Sequence, residues 1–106
     1  MKLVLTNILE TLVLASPKKA IEFASVVSSK IKLGNTVSID FSGVKGVTIN
    51  FLYIFFVKMS KECGNNFFKR ICLLNAPDEV IKSMDYLKEN YKELDNHFSN
   101  IDFCIV

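Results

Sequence analysis

One stretch constrains this chain more than any other: the apolar run from Phe51 to Val57, with Lys45 before it and Lys58 after it. It lies within Thr48–Cys63, whose apolar residues have helical spacing. Phe51, Phe55 and Met59 form one row, Leu52 and Phe56 flank it, and Tyr53 and Val57 fall on another side. So wide a belt predicts a helix buried on more than one side. The run is far shorter than the about 20 apolar residues a membrane span needs, so the helix belongs to a core. A chain of 106 residues, 50% of them hydrophobic, can build one such core. By surface scaling it buries roughly two thirds of its unfolded area, which predicts a single domain over residues 1–106.

The elements around that helix alternate in type. Leu3–Leu5 and Thr11–Leu14 read as two short strands or a hairpin, with Asn7 near the turn. Ser16-Pro17 is a helix start, with serine as N-cap and proline at the first helical position, where its missing N–H is not needed. Ala20, Ala24, Val27 and Ile31, flanked by Ile21 and Phe23, give that helix its buried face, and Gly34-Asn35 ends it. Thr36–Phe41 alternates, with Val37, Ile39 and Phe41 on one side, and predicts a strand. Ser42 to Gly46 reads as a loop, and Gly64 with Asn65-Asn66 ends the central helix.

Arg70–Asn75 reads as a further short strand, apolar over Ile71-Cys72-Leu73-Leu74. Pro77-Asp78-Glu79 opens a third helix whose buried row is Val80, Met84, Leu87, Tyr91 and Leu94, and Phe103–Val106 predicts a closing edge strand. Strand and helix in alternation predict an α/β fold: a mostly parallel sheet of about 4–5 strands in a single layer with about 3 helices.

Composition excludes several classes of function. Thirteen Lys+Arg against eleven Asp+Glu leave a net charge of +2, with basic clusters only at Lys18-Lys19, Lys30/Lys32 and Lys69-Arg70, so no nucleic-acid footprint is expected. Cys63, Cys72 and Cys104 are odd in number and lack C-x-x-C spacing, which points to reduced thiols in a cytoplasmic protein. Asn7, Glu10 and two threonines interrupt the apolar N-terminus, against a secretory signal. His97 has no ligand-spaced companion, and no phosphate loop or nucleophile motif is present. No catalytic constellation, metal or cofactor is expected.

In open α/β sheets, sites form beyond the carboxyl ends of the strands. Here that places Asp40, Ser42, Thr48 and Asn50 together, beside the amide-rich start of the central helix. The structural alternative is that Thr48 or Asn50 caps the helix while Asp40 accepts bonds from the loop.

The segment Asp40-Phe41-Ser42-Gly43-Val44-Lys45-Gly46-Val47-Thr48-Ile49-Asn50-Phe51-Leu52 resembles the STAS domain, the sulfate-transporter and anti-sigma-factor-antagonist family, in its short divergent branch of unknown function. The order of the following strand, helix and closing segment is similar across most of the chain. The resemblance implies a non-catalytic protein-binding switch whose partner is a histidine-kinase-like ATPase or other anti-sigma-type regulator. In the family, a serine at the start of the second helix is phosphorylated, and the added charge dissociates the complex. That serine falls on Asn50 here, which has no hydroxyl to modify; Thr48 and Ser42 are the nearest hydroxyls.

Tyr53 and the adjacent Phe67-Phe68 complete the expected contact surface, since exposed aromatics mark interaction sites. Two other readings account for the apolar excess and the helix start: a homo-oligomeric structural module, and an anion- or nucleotide-binding module.

Overall fold

In the computed structural model, which describes residues 1–64, 67–90 and 104–105, the chain forms the α/β alternation the sequence predicts. Strand β1 (Lys2–Val4) runs directly into a short helix α1 (Leu5–Leu9), followed by β2 (Val13–Leu14) and α2 (Pro17–Lys32). Then come β3 (Val37–Asp40), β4 (Gly46–Val47) and the central helix α3 (Ile49–Cys63). Last are β5 (Ile71–Leu74), α4 (Asp78–Asn90) and β6 (Cys104–Ile105). Four α-helices therefore stand among the described residues where about three were expected.

The added helix is α1; it separates the two short strands expected at the N-terminus and excludes the hairpin alternative. Leu5 and Leu9, both buried, are spaced one helical turn apart, so Asn7 lies inside a helix and not in a strand reversal. Glu10 ends α1 with a positive φ of 53°. The two flanking strands then separate into different ladders. Every described pairing is parallel: β1, β3, β5 and β6 form a four-stranded sheet in that order, while β2 pairs with β4 in a sheet of two. Gly46, expected at the end of a loop, instead forms a two-residue strand with Val47 because β2 supplies its partner.

The order of the main sheet fixes where the helices go. Each crossover steps to the next strand in the same direction, and right-handed crossovers then place all connecting helices on one face. Leu3, Ile39 and Leu73 are register neighbours on the buried face, together with Val37 and Ile71. On that layer α3 lies between α2 and α4, packing against both.

Local sequence sets the helix ends. Ser16 Oγ accepts from the Lys19 amide at 3.4 Å, with Pro17 in the first turn. At the far end the Gly34 amide donates to the Ile31 carbonyl at 2.9 Å and the Asn35 amide to the Lys30 carbonyl at 3.1 Å. This is a Schellman ending, and Gly34 takes the positive φ (91°) it requires.

The core is aromatic. Phe51, Leu52, Phe55, Phe56 and Met59 of α3 are buried, whereas Tyr53, Ile54 and Val57 are only half-buried. The helix is therefore covered fully on one side, and its outer flank is left open along the α2 boundary. Phe23 of α2 meets Phe55 with centroids 5.5 Å apart, and Phe55 meets Phe56 edge-on at 5.1 Å. Phe67, expected as an exposed contact, is 2% exposed and stacks on Phe56 at 6.3 Å. A 3₁₀ turn over Phe67–Arg70 carries it inward. The backbone of Phe68 belongs to that turn, and its side chain lies outside the described residues, as do Tyr91, Leu94 and His97. On α4, Val80, Met84 and Leu87 are buried as the helical row predicts.

Candidate functional site at the carboxyl edge of the sheet

Asp40 is the last residue of β3, and its carboxylate is only 4% exposed. Burying a carboxylate is costly unless donors surround it, and they do. Oδ1 accepts three hydrogen bonds: from the Ser42 amide at 2.9 Å, the Ser42 hydroxyl at 2.7 Å and Asn75 Nδ2 at 3.0 Å. Oδ2 faces the Lys2 ammonium at 3.2 Å. The Asn75 amide also donates to Ser42 Oγ at 3.0 Å, closing the triangle. The Asn75 and Ser42 bonds hold the Asp40 carboxyl far below the usual carboxylate range, with Lys2 assisting, and burial opposes them only in part.

The fold brings these groups together because the strands are parallel. Asp40 pairs in register with Val4 and Leu74, so the end of β3 lies beside the end of β1 and the start of the turn after β5. Asn75 sits in that turn with a positive φ of 54°, a conformation asparagine tolerates better than most side chains.

The network anchors one end of the segment that leads into α3. The Val44 amide donates to the Phe41 carbonyl at 3.0 Å, and Gly43, with φ 81°, supplies the positive φ that a type II turn needs at its third position. The other end is held by β2: the Lys45 amide donates to Leu12 O at 2.7 Å, and the Thr48 amide to Leu14 O at 2.9 Å. Thr6 Oγ1 adds a bond to the Ser42 carbonyl at 3.4 Å.

Thr48 is the N-cap of α3, its hydroxyl accepting from the Phe51 amide at 3.1 Å. Thr48→Ala should lower stability by about 1 kcal/mol, the usual loss of a threonine cap, seen as a lower urea midpoint at unchanged slope. Asn50, the second residue of the helix, is exposed. Tyr53 is half-buried on the same helix and lines a groove with Ile21, Ile54, Val57, Lys58 and Lys61.

The expected residues therefore fall into two groups. Asp40, buried, and Ser42, exposed, join one hydrogen-bond network, whereas Thr48, Asn50 and Tyr53 mark the outer surface of α3's first turns. Phe67 belongs to neither. Lys2, Asn75 and Ile21 were not anticipated. Asn75 carried a local signal, a polar side chain ending an apolar strand at the sheet's carboxyl edge. Lys2 carried none until the pairing of β1 with β3 was known.

Chemically, the arrangement positions and does not activate. Asp40 is saturated with donors, and Ser42 Oγ is spent on Asp40 and Asn75. A phosphate on Ser42 would set a dianion against a buried carboxylate, whereas Thr48 is exposed at a helix N-terminus, where added negative charge is favoured. Among the described residues no three His, Cys, Asp or Glu gather to hold a metal ion, and no helix is long and apolar enough to cross a membrane. Burial pushes the Cys63 thiol up. No family model, curated protein or solved structure matches this chain.

Proposed function

We propose that this chain is a non-catalytic, STAS-like interaction module that works in the cytoplasm by binding another protein through the start of α3. The observation that carries the reading is the anchored segment Phe41–Thr48. The Asp40 network at one end and the β2 bonds at the other hold it rigid. Exposed Thr48 and Asn50 are thereby presented on fixed backbone, with Tyr53 one turn further on. A recognition surface benefits from such preorganisation, because less ordering entropy is lost on binding. The partner class that the sequence resemblance implies is a histidine-kinase-like ATPase or a related anti-sigma-type regulator. Regulation by charge would act at Thr48, since Asn50 carries no hydroxyl.

The test is capture from native lysate with immobilised wild-type protein and three variants, Thr48→Glu, Asn50→Trp and Tyr53→Glu, with captured proteins identified by mass spectrometry. A kinase-like ATPase or regulator retained by wild type should fall at least about tenfold on each variant, the loss expected when a central contact is removed. Circular dichroism should stay native. Equal retention by all three variants would sink the proposed surface.

A further inference from the structure

Two features of the surface extend beyond that reading, sharing only Tyr53 with it, and they complement each other. The first is the groove between α2 and α3, a cavity of about 180 Å³. Ile21 of α2 forms one wall and Tyr53, Ile54 and Val57 of α3 the other, with Lys58 and Lys61 also in the lining and no carboxylate among the lining residues. Ile21 is 46% exposed. Lys58 is paired with Glu62 at 2.9 Å, and Lys61 enters none of the ion pairs among the described residues.

The second feature is the outer face of α4. Opposite its buried row of Val80, Met84 and Leu87 lie exposed Asp78, Glu79, Lys82, Asp85 and Tyr86. Glu79, Lys82 and Tyr86 follow one helical row, with Asp85 beside it. Among the described residues this face carries three carboxylates against one lysine, and Tyr86, 48% exposed, is its largest side chain.

We propose that a second copy of this chain seats the outer face of its α4 in the α2/α3 groove, Tyr86 entering the cavity and Glu79 and Asp85 facing the lining lysines. A helix suits the groove for a physical reason. Both walls are helices whose backbone groups are already bonded internally, so an extended peptide would bury unpaired N–H and C=O groups. A helix arrives with its backbone satisfied. The occupant comes from another molecule, because α3 stands between α2 and α4 and the chain's own α4 packs on the far flank. The two faces differ, so the contact is head-to-tail and can propagate beyond a dimer. One knob and a charged lining make it weak and salt-sensitive. Tyr53 lies in the groove, so self-association would occlude part of the partner surface, although the inference does not depend on that surface.

Sedimentation velocity from micromolar to millimolar concentration tests it. The average mass should rise with concentration and rise less at high salt. Lys61→Glu, the pair Glu79→Lys/Asp85→Lys, and Tyr86→Ser should each weaken association at least about tenfold, the scale on which a like-charge juxtaposition or a lost anchor acts. All four positions are exposed, and circular dichroism checks the fold of each variant. Mixing the Lys61→Glu protein with the α4 variant should restore association in alternating order, because both unlike junctions are complementary while neither protein pairs with itself. Combining the three charge changes in one chain should restore propagation. A chain that stays monomeric throughout overturns the proposal. So does association indifferent to these variants, or a monomer whose groove binds only a foreign acidic helical peptide.

Discussion

Replacing Phe56 by alanine should cost about 3–5 kcal/mol, the range for deleting a buried phenylalanine side chain. Small domains hold only about 5–15 kcal/mol in total, so the variant is expected at the edge of unfolding at room temperature. The position explains the size of the effect. Phe56 is 2% exposed and joins two parts of the core: it meets Phe55 within α3 and Phe67 from the turn before β5. Phe55 in turn meets Phe23 of α2. Truncation opens a void beside two rings, Phe55 of the same helix and Phe67 of the turn before β5, and rings fixed by their own backbones relax poorly into it. Phe56→Leu keeps much of the volume and should lose far less. Urea unfolding followed by circular dichroism measures both, and a loss below about 1 kcal/mol for the alanine variant would contradict this packing. Phe67→Ala should be non-additive with Phe56→Ala, since the two rings share one contact.

What the sequence made legible follows from how far each signal reaches. The ends of α2 are local: Ser16-Pro17 and Gly34-Asn35 carry the cap chemistry within a few residues, and the structure forms both caps. The buried faces of α2, α3 and α4 are nearly as local, because period 3.6 needs only the next two turns. Thr48 as the α3 cap was one of the two readings its position allowed, and its hydroxyl does accept the Phe51 amide. The misreadings are non-local or short. Leu5 and Leu9 are too few to separate one helical turn from an alternating strand, and the hairpin alternative failed there. Gly46-Val47 has no strand pattern of its own and becomes β4 only because β2 lies beside it. Phe67 stands next to a polar turn in sequence, yet the space under Phe56 claims it.

The candidate site divides along the same line. Asp40 and Ser42 are two residues apart, and their bond is a local turn contact that the sequence suggests. Asn75 is 35 residues from Asp40, and Lys2 approaches from a strand whose neighbour had first to be known. Parallel pairing brings the carboxyl ends of distant strands to one edge, so the site's first component is legible and its partners become so only once strand order is known. For the same reason the α2/α3 groove was hidden, although Tyr53 was singled out: its far wall, Ile21, belongs to another helix.

Asp40→Ala should lower stability at neutral pH by about 2–4 kcal/mol, since hydrogen bonds to a charged group contribute about 1.5–3 kcal/mol each and are not additive. The loss comes from the charge-assisted bonds of Ser42 and Asn75; both residues are exposed and their donors turn to water in the variant, which holds the loss toward the lower end of that range. Lys2 contributes little of it, because its side chain is 59% exposed and can return to water, so Lys2→Ala should cost under about 1 kcal/mol. The pH dependence separates charge from shape. The carboxyl's folded pKa lies well below its unfolded value of about 3.9, so its stabilisation is fully present above that value and is lost as pH falls through and below about 4. Asp40→Asn keeps the shape and one acceptor oxygen while removing the charge. It should be less stable than wild type at pH 7 and should converge with it in acid, its own stability losing this pH dependence. Urea midpoints measured from neutral pH into acid check the convergence, and parallel curves for wild type and Asp40→Asn would refute a buried, ionised Asp40. Because the same bonds anchor Phe41–Thr48, Asp40→Ala should also speed amide exchange at Ser42 and Val44 while leaving α2 protected. Partner capture should then weaken even though Thr48, Asn50 and Tyr53 are untouched, linking the buried carboxylate to the surface it supports.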